Sequence, residues 1–101
     1  MLEYNNANLM KIKAMRDAAL PGMNAFKALS DAAFADGAIP RRTKELIALA
    51  VAISKQCPYC IDIHGKHARE QGVTDAEVTE ATLIAAAIGA GAAVTHGTHA
   101  M

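Results

Sequence analysis

Nowhere along the 101 residues do apolar side chains alternate with period two for long enough to build a strand, whereas they recur at helical spacing in one segment after another. That pattern restricts the chain to an all-α fold of about five helices. Asn8 to Ala19 sets Leu9, Ile12, Ala14, Met15, Ala18 and Ala19 at helical spacing, and Pro21-Gly22 is expected to end that helix. Met23 to Ala35 repeats the pattern up to the turn signal Asp36-Gly37. From Arg41 to Ser54, residues Leu46, Ile47, Leu49, Ala50, Val51 and Ile53 surround most of the circumference, which predicts a helix buried on nearly all sides. After Lys55-Gln56, Pro58 suits the first position of a fourth helix, with Cys57 as its N-cap and Gly72 as its stop near Gln71. Thr74-Asp75-Ala76-Glu77 fits a capping box and opens a fifth helix. Gly89 and Gly91 inside that last helix imply close packing or a kink, since each weakens a helix interior by about 1 kcal/mol relative to Ala.

Length allows one domain, residues 1–101, and a core of modest size. Hydrophobic residues are 52% of the chain but aromatics only 4%, so small side chains must do the packing, which favours closely spaced helices. Ten basic and ten acidic residues cancel, with no basic stripe, so nucleic acid is not an expected partner. The polar and charged residues scattered through Met1 to Leu20 leave no apolar core for a signal peptide, which points to a cytoplasmic protein starting at or near Met1. Ala81 to Val94 is the longest apolar run; at 14 residues it falls short of the roughly 20 of a membrane span and is expected to be a buried helix. No membrane association is expected. No glycine-rich phosphate cradle follows a strand, so a tightly bound nucleotide is not expected, and the sequence is read as needing no cofactor.

Both cysteines of the protein lie in Cys57-Pro58-Tyr59-Cys60. In a cytosolic chain such a pair means redox chemistry or metal binding. At a helix start, cysteines three apart can close a small disulfide, and the free amides and dipole there stabilise a thiolate, so a depressed thiol pKa is expected. His64 follows Cys60 by four residues and shares its helix face, where it can carry protons; Lys55 and Lys66 add positive charge nearby. If the two helices run antiparallel about Lys55-Gln56, Glu45 lies roughly 13 Å back along one and His64 roughly 9 Å along the other, nearly level. A carboxylate among Ile47, Leu49 and Val51 must reach the surface or meet a polar group such as His64. Buried, its pKa would rise, as suits a proton relay.

The spacing from Glu45 to Cys57-Pro58-Tyr59-Cys60-Ile61-Asp62-Ile63-His64 resembles the core motif of the AhpD-like alkylhydroperoxidases, in the carboxymuconolactone decarboxylase superfamily. The likeness extends from about Gly22 to His96. It implies an all-α AhpD-like domain with thiol peroxidase activity on hydrogen peroxide or organic hydroperoxides. By the same resemblance Cys60 attacks the peroxide, Cys57 resolves the sulfenic acid as an intramolecular disulfide, Glu45 and His64 pass protons, and an external lipoyl or thioredoxin-like dithiol reduces the pair again. The best-studied members have histidine just before the second cysteine where this chain has Tyr59, which implies a shorter relay or lower rate. The helix terminus alone would favour Cys57 as the more acidic thiol; a base within reach of Cys60 can outweigh that effect.

The same residues admit other readings. Cys57, Cys60, His64 and Glu45 are acceptable zinc ligands, although no metal is expected on the redox reading. The scaffold could serve a thiol-disulfide or redox-sensing module, or a carboxymuconolactone decarboxylase, which needs no redox cysteine pair. His67 is expected to face solvent without a role. His96 and His99 could bind a metal but fit a frayed terminus better; His96 could alternatively approach the thiols. The small-residue helix from Thr74 to Val94 suits a subunit interface, and relatives of this size imply a homohexamer built as a trimer of dimers.

Overall fold

The computed structural model describes residues 4–101, in which every regular element is helical. A 3-10 turn, Asn6–Lys11, leads into α1 (Ile12–Ala18), followed by α2 (Leu20–Phe34), α3 (Arg41–Ser54), α4 (Pro58–Glu70) and α5 (Asp75–Gly97), with a last 3-10 turn at Thr98–Ala100. The all-α expectation and the number of helices are met. The chain divides into two units, Met1–Arg41 and Arg42–Met101.

In the first unit the Asn5 side chain accepts from the Ala7 amide at 2.8 Å and starts the 3-10 turn. The break between α1 and α2 falls at Ala19, whose backbone leaves the helical region at φ −146° and ψ 62°. Pro21 therefore sits in the first turn of α2 and helps begin that helix, where the sequence reading had it end the one before. The physical reason is that proline lacks only an amide hydrogen that a first turn leaves unbonded anyway. None of these helices contains a buried residue, and Met10, Met15, Phe26 and Leu29 are all exposed.

The second unit holds the core. Glu45, Leu49 and Ala52 recur at four- and three-residue steps along α3 and form its buried stripe. Leu49 packs with Ala68 of α4 and with Val73, and Leu46 and Val78 border that cluster. Ile47 and Val51 project from the other side of α3 and are nearly half exposed, so α3 is buried on one face and not all round. Its surroundings in this unit cover only the stripe that meets Ala68 and Val73.

Helices α3 and α4 close with the same turn. At the end of α3 the Gln56 amide donates to Ile53 O (3.1 Å) and the Cys57 amide reaches back to Ala52 O (3.0 Å); at the end of α4 Gly72 donates to Arg69 O and Val73 to Ala68 O, both at 3.0 Å. These are paired Schellman bonds, which require a left-handed residue between the helix and the turn. Gly72 supplies it at φ 77°, and Gln56 does so at φ 54°.

The capping box of α5 is fully formed. Thr74 Oγ1 accepts from the Glu77 amide at 3.2 Å, and the Glu77 carboxylate accepts from the Thr74 amide at 3.0 Å. The same carboxylate takes a two-pronged contact from the Arg42 guanidinium, 2.6 Å to each oxygen, and Arg42 also donates to the carbonyls of Gln71 and Gly72. One arginine of α3 thus ties together the end of α4 and the start of α5. The guanidinium first, and then the Thr74 amide, hold the Glu77 carboxyl well below its ordinary range, at about 2.

α5 differs from expectation in its surroundings. It runs unbroken through Gly89 and Gly91 and contains no buried residue; Leu83, Ile84, Ile88 and Val94 are mostly exposed. A methyl group added at either glycine would meet nothing within 4 Å among the described residues, so the close packing expected there is not found. With its terminal turn, Asp75–Ala100 is long and apolar enough by length and composition to cross a membrane. A helix sheathed by other protein subunits has the same composition.

Candidate active site

Cys57 owes its position to two helices at once. As the last residue of the turn closing α3 it donates to Ala52 O, and as the N-cap of α4 its sulfur faces the Cys60 amide at 3.3 Å. Pro58 fixes the first helical residue behind it. The two cysteines form a disulfide, with Cα atoms 5.3 Å apart, and both residues are partly exposed. An amide of the first turn aimed at Sγ is the arrangement that stabilises a thiolate at this sulfur once the bond is reduced.

Glu45 is fully buried, and His64 Nδ1 lies 3.0 Å from its Oε2. The level pairing anticipated from helical rise is therefore present, and it requires α3 and α4 to run back along one another from the Gln56 turn. With Glu45 ionised, its carboxylate accepts from an Nδ1–H of His64, and Nε2 is then the ring nitrogen left for another partner. His64 is 22% exposed, so one end of the pair is sealed and the other open to solvent.

His67 departs from the sequence reading. It is partly buried, its ring stands edge-on to that of His64 with centroids 5.6 Å apart, and its Nδ1 lies 3.8 Å from Glu45 Oε1. The signal was available: seven residues from Cys60 and three from His64, position 67 returns to the motif face after two turns. Glu45, His64 and His67 each offer one donor atom within 4.8 Å of the others, whereas the cysteines, joined to each other, are not among that group. His96 belongs to the exposed end of α5, its Nδ1 2.8 Å from Ala92 O and its ring 5.8 Å from that of His99.

Residues 21–101 match the model of the carboxymuconolactone decarboxylase family. The chain belongs to that family. Family membership agrees with the resemblance carried by Glu45, the cysteine pair and His64. Among similar sequences, uncharacterized protein 4 in the cox locus of Paracoccus denitrificans is 51% identical over 78 residues, covering 77% of this chain and 70% of the relative. An uncharacterized protein of Cupriavidus necator is 32% identical over 88 residues, covering 87% and 78%. Among solved structures, the apo form of a carboxymuconolactone decarboxylase family protein from Legionella pneumophila superposes with a TM-score of 0.78 at 33% identity, covering 91% of this chain and 82% of the other. A protein from Methanobacterium thermoautotrophicum does so at 0.81 and 29% identity, covering 86% and 98%.

Proposed function

We propose that this family member is a cysteine-dependent peroxidase that reduces hydrogen peroxide or organic hydroperoxides. The observation that carries the reading is the hydrogen bond between the buried Glu45 of α3 and His64 of α4, the helix whose N-terminus carries the disulfide-forming cysteine pair. A decarboxylase has no use for the disulfide.

In the proposed cycle the Cys60 thiol gives its proton to the His64–Glu45 pair. The Cys60 thiolate attacks the outer peroxide oxygen, the O–O bond breaks, Cys60 becomes a sulfenic acid, and the departing alkoxide takes a proton from His64 to leave as an alcohol. Cys57, its thiolate favoured by the Cys60 amide, attacks the Cys60 sulfur; the S–O bond breaks, hydroxide leaves as water, and the disulfide forms. An external dithiol of the lipoyl or thioredoxin type returns the two electrons and is itself oxidised. The helix terminus and the relay thus act on different cysteines, Cys57 as resolving and Cys60 as attacking thiol.

Stopped-flow oxidation of the reduced protein by cumene hydroperoxide tests the cycle. Rapid loss of two thiols is expected, abolished by Cys60→Ser and slowed about 10²-fold by Glu45→Gln, the lower end of what a positioned proton carrier contributes. Oxidation of the wild type no faster than that of a free thiol refutes the peroxidase reading and favours a redox-sensing module.

We also infer a cytoplasmic homohexamer, a trimer of dimers, in which the exposed apolar faces of α3 and α5 are covered by other subunits and not by lipid. Ile47, Val51, Ile84 and Ile88 on these faces support it. Light scattering is expected to give the hexamer mass, and Ile84→Lys with Ile88→Lys to break it into smaller species. A monomeric wild type would sink this inference.

A further inference from the structure

We propose that Glu45, His64 and His67 form a binding site for a divalent transition-metal ion of the zinc type. The inference goes beyond the peroxidase reading and does not depend on it. The three residues lie on facing helices of the second unit, two of them three apart on α4 and the third on the buried stripe of α3, so the backbone holds them in register. Their donor atoms are all within 4.8 Å of one another.

Distance and chemistry both fit such an ion. Zinc binds imidazole nitrogen and carboxylate oxygen at about 2.0–2.2 Å, which puts tetrahedral donors about 3.3 Å apart. His64 Nδ1 is 3.0 Å from Glu45 Oε2 and His67 Nδ1 is 3.8 Å from Glu45 Oε1, so the two rings approach different oxygens of the one carboxylate, at separations either side of that spacing. The second separation is too long for a hydrogen bond, so the His67 ring approaches the carboxylate without engaging it by one. The pair can instead straddle an ion, with the 39% exposed ring turning towards it. The buried carboxylate supplies the anchor, and the two partly exposed imidazoles supply the entrance.

Two imidazoles and one carboxylate are a borderline donor set, suited to zinc, cobalt or nickel. Magnesium and calcium need more oxygen ligands than the group offers. Three protein ligands leave a fourth position for water. A bound ion would displace the proton between His64 and Glu45, so an occupied site and a working relay exclude one another; that consequence alone rests on the peroxidase reading.

Equilibrium dialysis of the full chain in its disulfide form against zinc chloride, with excess magnesium chloride, tests the site while the cysteines cannot ligate. One zinc per chain is expected, with the same stoichiometry in the Cys57→Ser/Cys60→Ser variant and at least tenfold weaker binding in His67→Ala. Cobalt in place of zinc should give visible d–d bands without a thiolate charge-transfer band. Should circular dichroism show His67→Ala unfolded, His67→Gln replaces it with the same expected loss. Absence of zinc from the disulfide form, or equal binding by the folded His67 variant, overturns the proposal. The peroxide assay in chelator is separate, so failure of either idea leaves the other standing.

Discussion

The turns that close α3 and α4 share one hydrogen-bond pattern yet are made from different residues, and the difference separates a turn that presents the cysteine pair from one that anchors the core. At the end of α4, glycine takes the left-handed position, Val73 swings back onto Ala68 and Leu49 in the core, and a separate residue, Thr74, caps the next helix. At the end of α3 a glutamine occupies the left-handed position, and a single residue, Cys57, both completes the turn and caps α4. The second arrangement leaves no spacer between the helices. It fixes the Cys57 sulfur over an amide of α4 while leaving the residue partly exposed, which a core-anchored valine could not do.

The largest effect should come from removing the glycine of the stabilising turn. Nothing lies within 4 Å of a methyl group placed on Gly72, so Gly72→Ala tests backbone conformation without a clash. A left-handed residue with a Cβ costs about 1–2 kcal/mol, and urea denaturation should show a loss of that size. The converse change, Gln56→Gly, relieves the same strain in the other turn but loosens the unfolded chain by about 0.4–1 kcal/mol, so a net gain of up to about 1.6 kcal/mol is expected. If both substitutions destabilise equally, the contrast between the two turns is not one of backbone strain.

The caps give a comparison of similar size. Thr74→Ala removes a hydroxyl acceptor from a complete capping box and should cost about 1 kcal/mol. Cys57→Ala in the reduced protein should cost less, since sulfur is a weak acceptor. Urea midpoints of the two variants, both with thiols reduced, check the order. A larger loss at position 57 would mean that the first turn, too, is built chiefly for stability.

Legibility of these features in the sequence followed their range. Pro58 after Cys57, Thr74 three residues before Glu77 and Gly72 after α4 are local signals, and the structure uses each as read. The level placement of Glu45 and His64 was also readable, because it needed only helical rise and one reversal. What could not be read depends on neighbours distant in sequence. The left-handed Gln56 carries no glycine signature, and the Arg42–Glu77 pair joins residues that only the packing of α3 beside the α4–α5 turn brings together. Apolar circumference in α3 and α5 announced burial but not by what, and within this chain Ile47 and Ile88 stay exposed. His67 is a local case as well, since position 67 returns to the face of His64 and Cys60 after one and two helical turns.

The smallest effect concerns pH and again involves the stabilising turn. The Glu77 carboxyl titrates at about 2 in the folded chain against an ordinary value of 4.5, because Arg42 and the Thr74 amide bind its ionised form. Folding therefore favours the deprotonated state. The stability this contributes is complete above the unfolded value near 4.5 and is lost as pH falls through about 2. Thermal midpoints of the wild type should thus fall across that window, and Glu77→Gln should flatten the fall. The effect should be modest, because both side chains are partly exposed and solvent screens the pair. Arg42→Ala should flatten it similarly, since the guanidinium is the main cause of the shift, while leaving the Thr74–Glu77 capping bonds in place. If Arg42→Ala left the acid limb unchanged, the arginine clasp would not be what links this turn to pH.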